Sequence, residues 1–249
     1  TFNVPVIKQN LDNLLTMAAV ISINLTHIEQ STLCNHAFGM LFVDHIKFKP
    51  TGNKISNDGI DVIKHFYSRK VMIDVKHMAL ASRLHLYKLR ETTEFQAIKQ
   101  PIACTHAGFT GIKIKEIPDY IFDYKRAGGN AGHTRLLQNK PVKYGGAFMR
   151  PAFNASSINL YDEDIMAILN SGGMIGLSLD KRILGYQQYE NNSNAREEYP
   201  MEIEYVSWKE ENLFLPAGPN AMIRTAAANG TVLEWEQLLE GGTTDPMLS

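Results

Sequence analysis

Three histidines occupy corresponding places in the chain, each close behind a short apolar run. They are His27, His77 and His106. In a parallel sheet or barrel the carboxyl ends of all strands open on one face, so side chains at those ends can converge. Neutral imidazole is a good ligand for zinc and similar divalent ions. The pattern favours a shared metal or catalytic site, although a single histidine of this kind is more often a core or surface residue.

Two further side chains are candidates for the same site. Asp180 ends a fourth apolar run and could bind a metal, act as a base, contact a substrate or pair with Lys181 or Arg182. Arg150 could bind a substrate carboxylate through two parallel hydrogen bonds, or it could be a solvated loop residue. The sequence leaves both alternatives open for each residue.

Asp74 precedes His77 by three residues, inside the predicted strand. Residues three apart in a strand face opposite sides, so the two side chains are not expected to act directly in one site. We expect Asp74 to orient neighbouring backbone or to accept a buried hydrogen bond.

Covalent and nucleotide chemistry have little support. The chain contains no Gly-x-Ser-x-Gly elbow, and neither Cys34 nor Cys104 has a base nearby in the sequence. The Gly-rich stretch at 127–132 lacks the Lys-Ser/Thr of a phosphate-binding loop. A covalent nucleophile and a bound nucleotide are therefore both disfavoured.

The elements that must position these residues alternate along the chain. Short apolar runs predict strands at 20–25, 71–75, 101–105 and 173–179. Helical signals between them begin near Asn57, Ala79 and Asp162, and the last stops at Gly172-Gly173, a pair suited to a helix C-cap and a tight turn. Alternating strands and helices predict βαβ units and a parallel sheet.

Two stretches interrupt this rhythm. The segment at about 108–158 predicts a long loop inserted after the third strand, and 231–239 predicts a helix. With that insertion, residues 1–249 are interpreted as a single domain.

Composition restricts the partners. With 25 basic and 26 acidic residues the net charge is −1, and no basic block indicates a nucleic-acid partner. No apolar run approaches the roughly 18 residues of a membrane span. Two cysteines favour a reducing compartment and hence the cytoplasm, but the chain opens on Thr1 rather than Met, which leaves periplasmic or extracellular export open. Pairing with a second copy as a homodimer is also left open.

The order of the motifs resembles the membrane (renal) dipeptidase family. The resemblance covers about residues 10–185, apart from the insertion. The segments that carry it are Ile23-Asn24-Leu25-Thr26-His27, Ile73-Asp74-Val75-Lys76-His77, Pro101-Ile102-Ala103-Cys104-Thr105-His106-Ala107, Asn159-Leu160-Tyr161-Asp162 and Gly172-Gly173-Met174-Ile175-Gly176. Each segment is short, and the sequential set is much more specific than its parts.

The resemblance implies a (β/α)8 TIM-barrel fold, incomplete in this chain, and zinc-dependent hydrolysis of a small dipeptide substrate. It implies that His77 and His106 bind metal in a two-zinc site, and that His27 contacts the substrate or stabilises the tetrahedral intermediate. Two zinc ions sharing a water lower its pKa and polarise the scissile carbonyl, so no protein nucleophile is needed.

The chain departs from that family in several places. The family's His-x-Asp pair and bridging Glu would lie upstream of His27, its late catalytic Asp is not visible, and its substrate-binding Arg corresponds to Ile158. We therefore expect a piece of a longer enzyme, because a partial barrel would expose sheet edges. The alternatives are an inactive barrel that binds a small ligand or peptide, and an amidohydrolase that acts on another amide or a lactone.

Overall fold

The structure is a computed structural model of the 249-residue chain. It describes residues 3–28, 31–37, 54–111, 113 and 156–184, together with four further strands whose backbone lies at Tyr120–Arg126, Gly132–Gln138, Met201–Ser207 and Leu233–Glu234.

Helices and strands alternate through the first half of the chain. The helices are α1 (Val4–Met17), α2 (Asn57–Ser68), α3 (Leu80–Glu91), α4 (Thr93–Gln96), α5 (Asp162–Asn170) and α6 (Lys181–Leu184). The strands are β1 (Ser22–Asn24), β2 (Met72–Asp74), β3 (Ile102–Ala107), β4 (Tyr120–Arg126), β5 (Gly132–Gln138), β6 (Met174–Leu177), β7 (Met201–Ser207) and β8 (Leu233–Glu234). None of the described helices has both the length and the apolar character that crossing a bilayer requires.

Four strands form a parallel sheet in the order β1-β2-β3-β6. The strands predicted from apolar runs are these four, and the expected α/β class with a parallel sheet is confirmed. The two central strands, β2 and β3, contain buried residues such as Ile73 and Ala103 at 0% exposure, as expected where helices cover a parallel sheet. Four strands do not by themselves make a complete barrel.

The inserted segment carries structure that the sequence analysis missed. The predicted loop at about 108–158 contains β4 and β5, which pair as an antiparallel hairpin. The predicted helix at 231–239 is also wrong where it is described, because Leu233–Glu234 is strand β8 and pairs with β4. These strands belong to a second sheet with the order β7-β5-β4-β8. The hairpin is local, but its outer partners β8 and β7 are distant in the sequence, and pairing with β4 overrode the helical preference at Leu233–Glu234.

The insertion nevertheless falls where it was expected. It separates β3 from β6, which are direct neighbours in the parallel sheet. The chain thus leaves the parallel sheet after one strand and returns to it at the adjacent position.

Helix α2 illustrates how the core forms. Ser56 caps it, since the Ser56 hydroxyl accepts a hydrogen bond from the Gly59 N–H at 3.0 Å. Ile63 and Phe66, three residues apart, turn to the same side and are 0% and 3% exposed. Both belong to the main apolar cluster, which also includes β-strand residues such as Ile73.

Helix α5 ends at the predicted pair of glycines. The Gly172 N–H bonds to the Leu169 carbonyl at 2.9 Å, and the Gly173 N–H bonds to the Ile168 carbonyl at 3.0 Å. This is the Schellman pattern, and Gly172 has the positive φ of 73° that it requires. The chain then enters β6 directly, which confirms the predicted cap and tight turn.

Candidate functional site

The three predicted histidines lie together at the carboxyl ends of β1, β2 and β3. The ring of His77 stands between the other two, with its centroid 4.2 Å from that of His27 and 5.1 Å from that of His106. The Nε2 atoms of His77 and His106 are 3.2 Å apart. The convergence expected from strand-end positions is therefore observed.

His27 follows the end of β1. The Asn24 side-chain amide donates to the Lys76 carbonyl at 2.9 Å and is 3.4 Å from the Asp74 carbonyl. This contact ties the end of β1 to the turn that follows β2. His27 itself is exposed, so its imidazole is open to solvent and to a bound molecule.

His77 is placed by an uncommon backbone conformation. Its φ is +69°, in the left-handed region that residues other than glycine rarely adopt. The turn around it closes with a hydrogen bond from the Met78 N–H to the Val75 carbonyl at 3.1 Å, and the Ala37 N–H holds the His77 carbonyl at 2.6 Å. Such conformations cluster at functional sites.

His106 lies inside β3 rather than beyond its end. Between Cys104 and Ala107 the pairing with β6 slips, so that Thr105 and His106 stand opposite the single residue Gly176. This is a β-bulge, and both bulge residues are exposed whereas Cys104 and Ala107 are buried. Bulges beside functional sites commonly re-aim a side chain.

A chain of hydrogen bonds runs from Asp74 to His106. The Asp74 carboxylate accepts from the Lys76 N–H at 2.9 Å and from the Thr105 N–H at 3.2 Å. It also accepts from the Thr105 hydroxyl at 2.6 Å, and that hydroxyl oxygen is 2.9 Å from His106 Nδ1. The expected buried hydrogen bond of Asp74 is confirmed. Thr105 was missed, because no local pattern marks a threonine that bonds across two strands.

Burial and nearby positive charge favour the neutral forms of His77 and His106. Burial, followed by the positive charge of Lys76, lowers the pKa of His77 from 6.5 to about 3. Burial also lowers the pKa of His106, with Lys76 again contributing. Neutral imidazoles keep the lone pairs that bind metal.

This lowered pKa predicts a loss of stability in acid. Since folded His77 resists a proton that the unfolded chain accepts, its contribution is complete above pH 6.5 and is lost as pH falls toward 3. We expect wild-type protein to lose up to about 1.4 kcal/mol per pH unit relative to His77→Asn, a residue that tolerates positive φ. Urea unfolding of both proteins between about pH 8 and pH 4 measures the difference. Parallel pH profiles would contradict it.

Two buried cations fix the segment that returns after the insertion. Lys76 Nζ donates to the Ile158 carbonyl at 2.9 Å, and burial lowers the Lys76 pKa to about 8. Arg83 donates to the carbonyls of Ser157 at 2.6 Å and Asn159 at 3.3 Å. Three consecutive carbonyls thus face buried cationic donors. The Ile158 side chain packs in a small apolar cluster with Ile183, so this position cannot bind a substrate carboxylate.

Two predicted site residues remain, Asp180 and Arg150, and the structure describes only the first of them. Asp180 follows β6, and its backbone carbonyl accepts from the N–H groups of Ile183 and Leu184 at the start of α6. Its role toward a substrate stays a prediction. Arg150 lies outside the described residues.

The histidine pair fits a metal ion in part. Two nitrogen ligands at zinc distances of about 2.0–2.1 Å in a tetrahedral site stand about 3.3 Å apart, close to the 3.2 Å between the two Nε2 atoms. In the described ranges, no group of three or more His, Cys, Asp or Glu side chains is arranged to hold an ion. His77 and His106 therefore supply two ligands of such a site.

The cysteines do not contribute to this chemistry. Cys34 and Cys104 are free and buried, and burial raises the pKa of both thiols, that of Cys104 to about 12. Neither is a thiolate at neutral pH, which agrees with the absence of a nucleophile motif.

The chain was compared with protein-family models, curated proteins and solved structures. No protein-family model, curated protein or solved structure matches the chain. The candidate site consists of the three histidines and the groups that hold them.

Proposed function

We propose that the chain carries part of the site of a zinc-dependent hydrolase that cleaves dipeptides, as its resemblance to the membrane dipeptidases implies. The observation that supports it most is the separation of 3.2 Å between the Nε2 atoms of His77 and His106. Two neutral imidazoles at the spacing of two zinc ligands, at the carboxyl edge of a parallel sheet, suit metal-assisted hydrolysis.

Each histidine has a distinct role in this proposal. His77 and His106 hold zinc, and the complete site holds two ions. Bound zinc supplies an activated water and polarises the scissile carbonyl. His27, which is exposed and has its ring tilted against that of His77, contacts the substrate and donates to the carbonyl oxygen as it gains negative charge. Arg150 and Asp180 are proposed to contact the termini of the small peptide.

The proposal includes a (β/α)8 barrel as the complete fold. The outer strands of the parallel sheet are β1 and β6, and apolar side chains at both edges are open to solvent. Ile21, just before β1, is 67% exposed, and Met174 and Leu177 of β6 are 58% and 60% exposed. Further strands and helices on both sides would cover these side chains, as in a closed barrel.

Metal content tests the site. Elemental analysis of purified protein should find near-stoichiometric zinc in wild type, and a loss of most of it in His77→Ala and in His106→Ala. His65→Ala is the matched control, because His65 lies on α2 and pairs with Asp12 at 3.1 Å, away from the site. Folded wild-type protein without bound metal would contradict the proposal and favour an inactive barrel that binds a small ligand or peptide.

Substrate class is tested on the zinc-loaded protein. A panel of dipeptides, lactones and cyclic amides should show hydrolysis of dipeptides that a chelator and His106→Ala both abolish. Hydrolysis confined to lactones or other amides would replace the dipeptidase assignment with a different amidohydrolase reaction on the same metal site.

A further inference from the structure

We propose that Asp74 and Thr105 are positioning residues that fix the tautomer of His106, with the proton on Nδ1 and the lone pair on Nε2. The use of that lone pair for zinc rests on the proposed function. The tautomer itself follows from the hydrogen bonds of the folded chain.

The carboxylate of Asp74 sets the direction of the chain of hydrogen bonds. A carboxylate only accepts. Its Oδ1 receives the N–H groups of Lys76 at 2.9 Å and Thr105 at 3.2 Å, and its Oδ2 receives the Thr105 hydroxyl at 2.6 Å. Asp74 is 1% exposed, so these protein donors take the place of water.

The hydroxyl of Thr105 then determines the protonation of His106. A hydroxyl has one proton, and Thr105 gives it to Asp74. Toward His106 Nδ1, at 2.9 Å, the Thr105 oxygen can only accept, so Nδ1 carries the imidazole proton. A neutral imidazole has one N–H, which leaves Nε2 of His106 with its lone pair.

This lone pair points into the histidine cluster. His106 Nε2 is 3.2 Å from His77 Nε2, so in the metal-free protein His77 supplies the N–H of that contact. The other nitrogen of His77, Nδ1, is buried and has no hydrogen-bond partner among the described residues. With its proton on Nε2, His77 carries a lone pair on Nδ1 in the metal-free protein.

Asp74→Asn is expected to invert the tautomer. The asparagine Oδ1 can keep the two backbone N–H groups, but the amide group in place of Oδ2 donates to the Thr105 oxygen. The Thr105 proton then turns to His106 Nδ1, and the imidazole proton moves to Nε2. Rotation of the amide does not avoid this, because its NH₂ group would then face two N–H donors.

The tautomer is read by long-range ¹H–¹⁵N NMR on the full chain, labelled at histidine and held metal-free at neutral pH. In wild type and Thr105→Ser, His106 Nδ1 should resonate as a protonated nitrogen and Nε2 as an unprotonated one. Asp74→Asn should exchange the two signals, and Thr105→Val should lose the wild-type pattern. A protonated Nε2 in wild type, or the wild-type pattern in Thr105→Val, would overturn the inference.

Zinc titration of the same proteins separates this inference from the proposed function. Asp74→Asn should bind zinc about 10–100-fold more weakly than wild type, and Thr105→Ser should bind like wild type. The expected tautomers in a wild type that binds no zinc would sustain the positioning role and refute the metal site. If wild type binds zinc and Asp74→Asn binds it equally tightly, the metal site would stand and the positioning role would be refuted.

Discussion

Replacing Arg83 with methionine is expected to lower the free energy of unfolding by about 3–5 kcal/mol. Arg83 is 1% exposed and pairs with Asp164, which is 0% exposed, through two hydrogen bonds of 3.0 and 2.9 Å. Removing one partner of a buried pair leaves the other charge uncompensated in a medium that solvates it poorly. The Tyr87 hydroxyl, 2.8 Å from Asp164, would be the main remaining side-chain donor to that carboxylate.

The loss of stability in Arg83→Met has a second source besides the broken ion pair. Arg83 also donates to the carbonyls of Met78, Ser157 and Asn159 at 2.8, 2.6 and 3.3 Å. Each buried carbonyl left without a donor adds a desolvation penalty. Because 156–160 is the segment that returns from the insertion, we expect the variant to loosen it as well.

Urea denaturation followed by circular dichroism measures the change. Lys8→Met is the matched control, because Lys8 pairs with the half-exposed Asp61 at 2.7 Å, and removing a surface pair costs less than about 1 kcal/mol. If Arg83→Met and Lys8→Met lost the same stability, the buried cation would not hold this part of the fold.

Gly176→Ala is expected to destabilise the chain by about 1–3 kcal/mol and to displace His106. Gly176 faces the bulge of β3, and a methyl group there would overlap the carbonyl oxygen of Thr105. The neighbour is backbone in a parallel sheet, so it cannot turn aside as a flexible side chain would. The bulge must shift, and Thr105 and His106 shift with it.

Two measurements detect the displacement of His106 in Gly176→Ala. Unfolding free energy reports the strain, and zinc affinity reports the position of His106. The matched control is Gly172→Asn, since a side chain at Gly172 meets nothing within 4 Å and asparagine tolerates its φ of 73°. The control should keep wild-type zinc affinity. Unchanged affinity in Gly176→Ala would show that the bulge does not position His106.

Short sequence patterns were enough to predict much of the parallel sheet. Apolar runs bounded by Gly and Pro identified its four strands, because the strands of a parallel sheet are rich in apolar residues along their length. The caps of α2 and α5 were found to within a residue, since capping depends on neighbours three to five positions away. The convergence of His27, His77 and His106 followed from one rule, that parallel strands end on the same edge.

Contacts between distant residues accounted for what the sequence analysis missed. Strand β8 pairs with β4 from more than a hundred positions away, so no local pattern identified either. The left-handed φ of His77 depends on its carbonyl being held by Ala37, on another segment.

By itself, the sequence determined the alternating α/β organisation, the four parallel strands and the three histidines at their ends. These depend on periodicity and turn chemistry, which act within a few residues. Only the tertiary structure decided the bulge that aims His106, the bonds from Asp74 through Thr105, and the buried cations that hold 157–159. The physical reason is that buried polar groups form hydrogen bonds with residues that are distant in the sequence. A local sequence pattern does not show which distant residue becomes the partner.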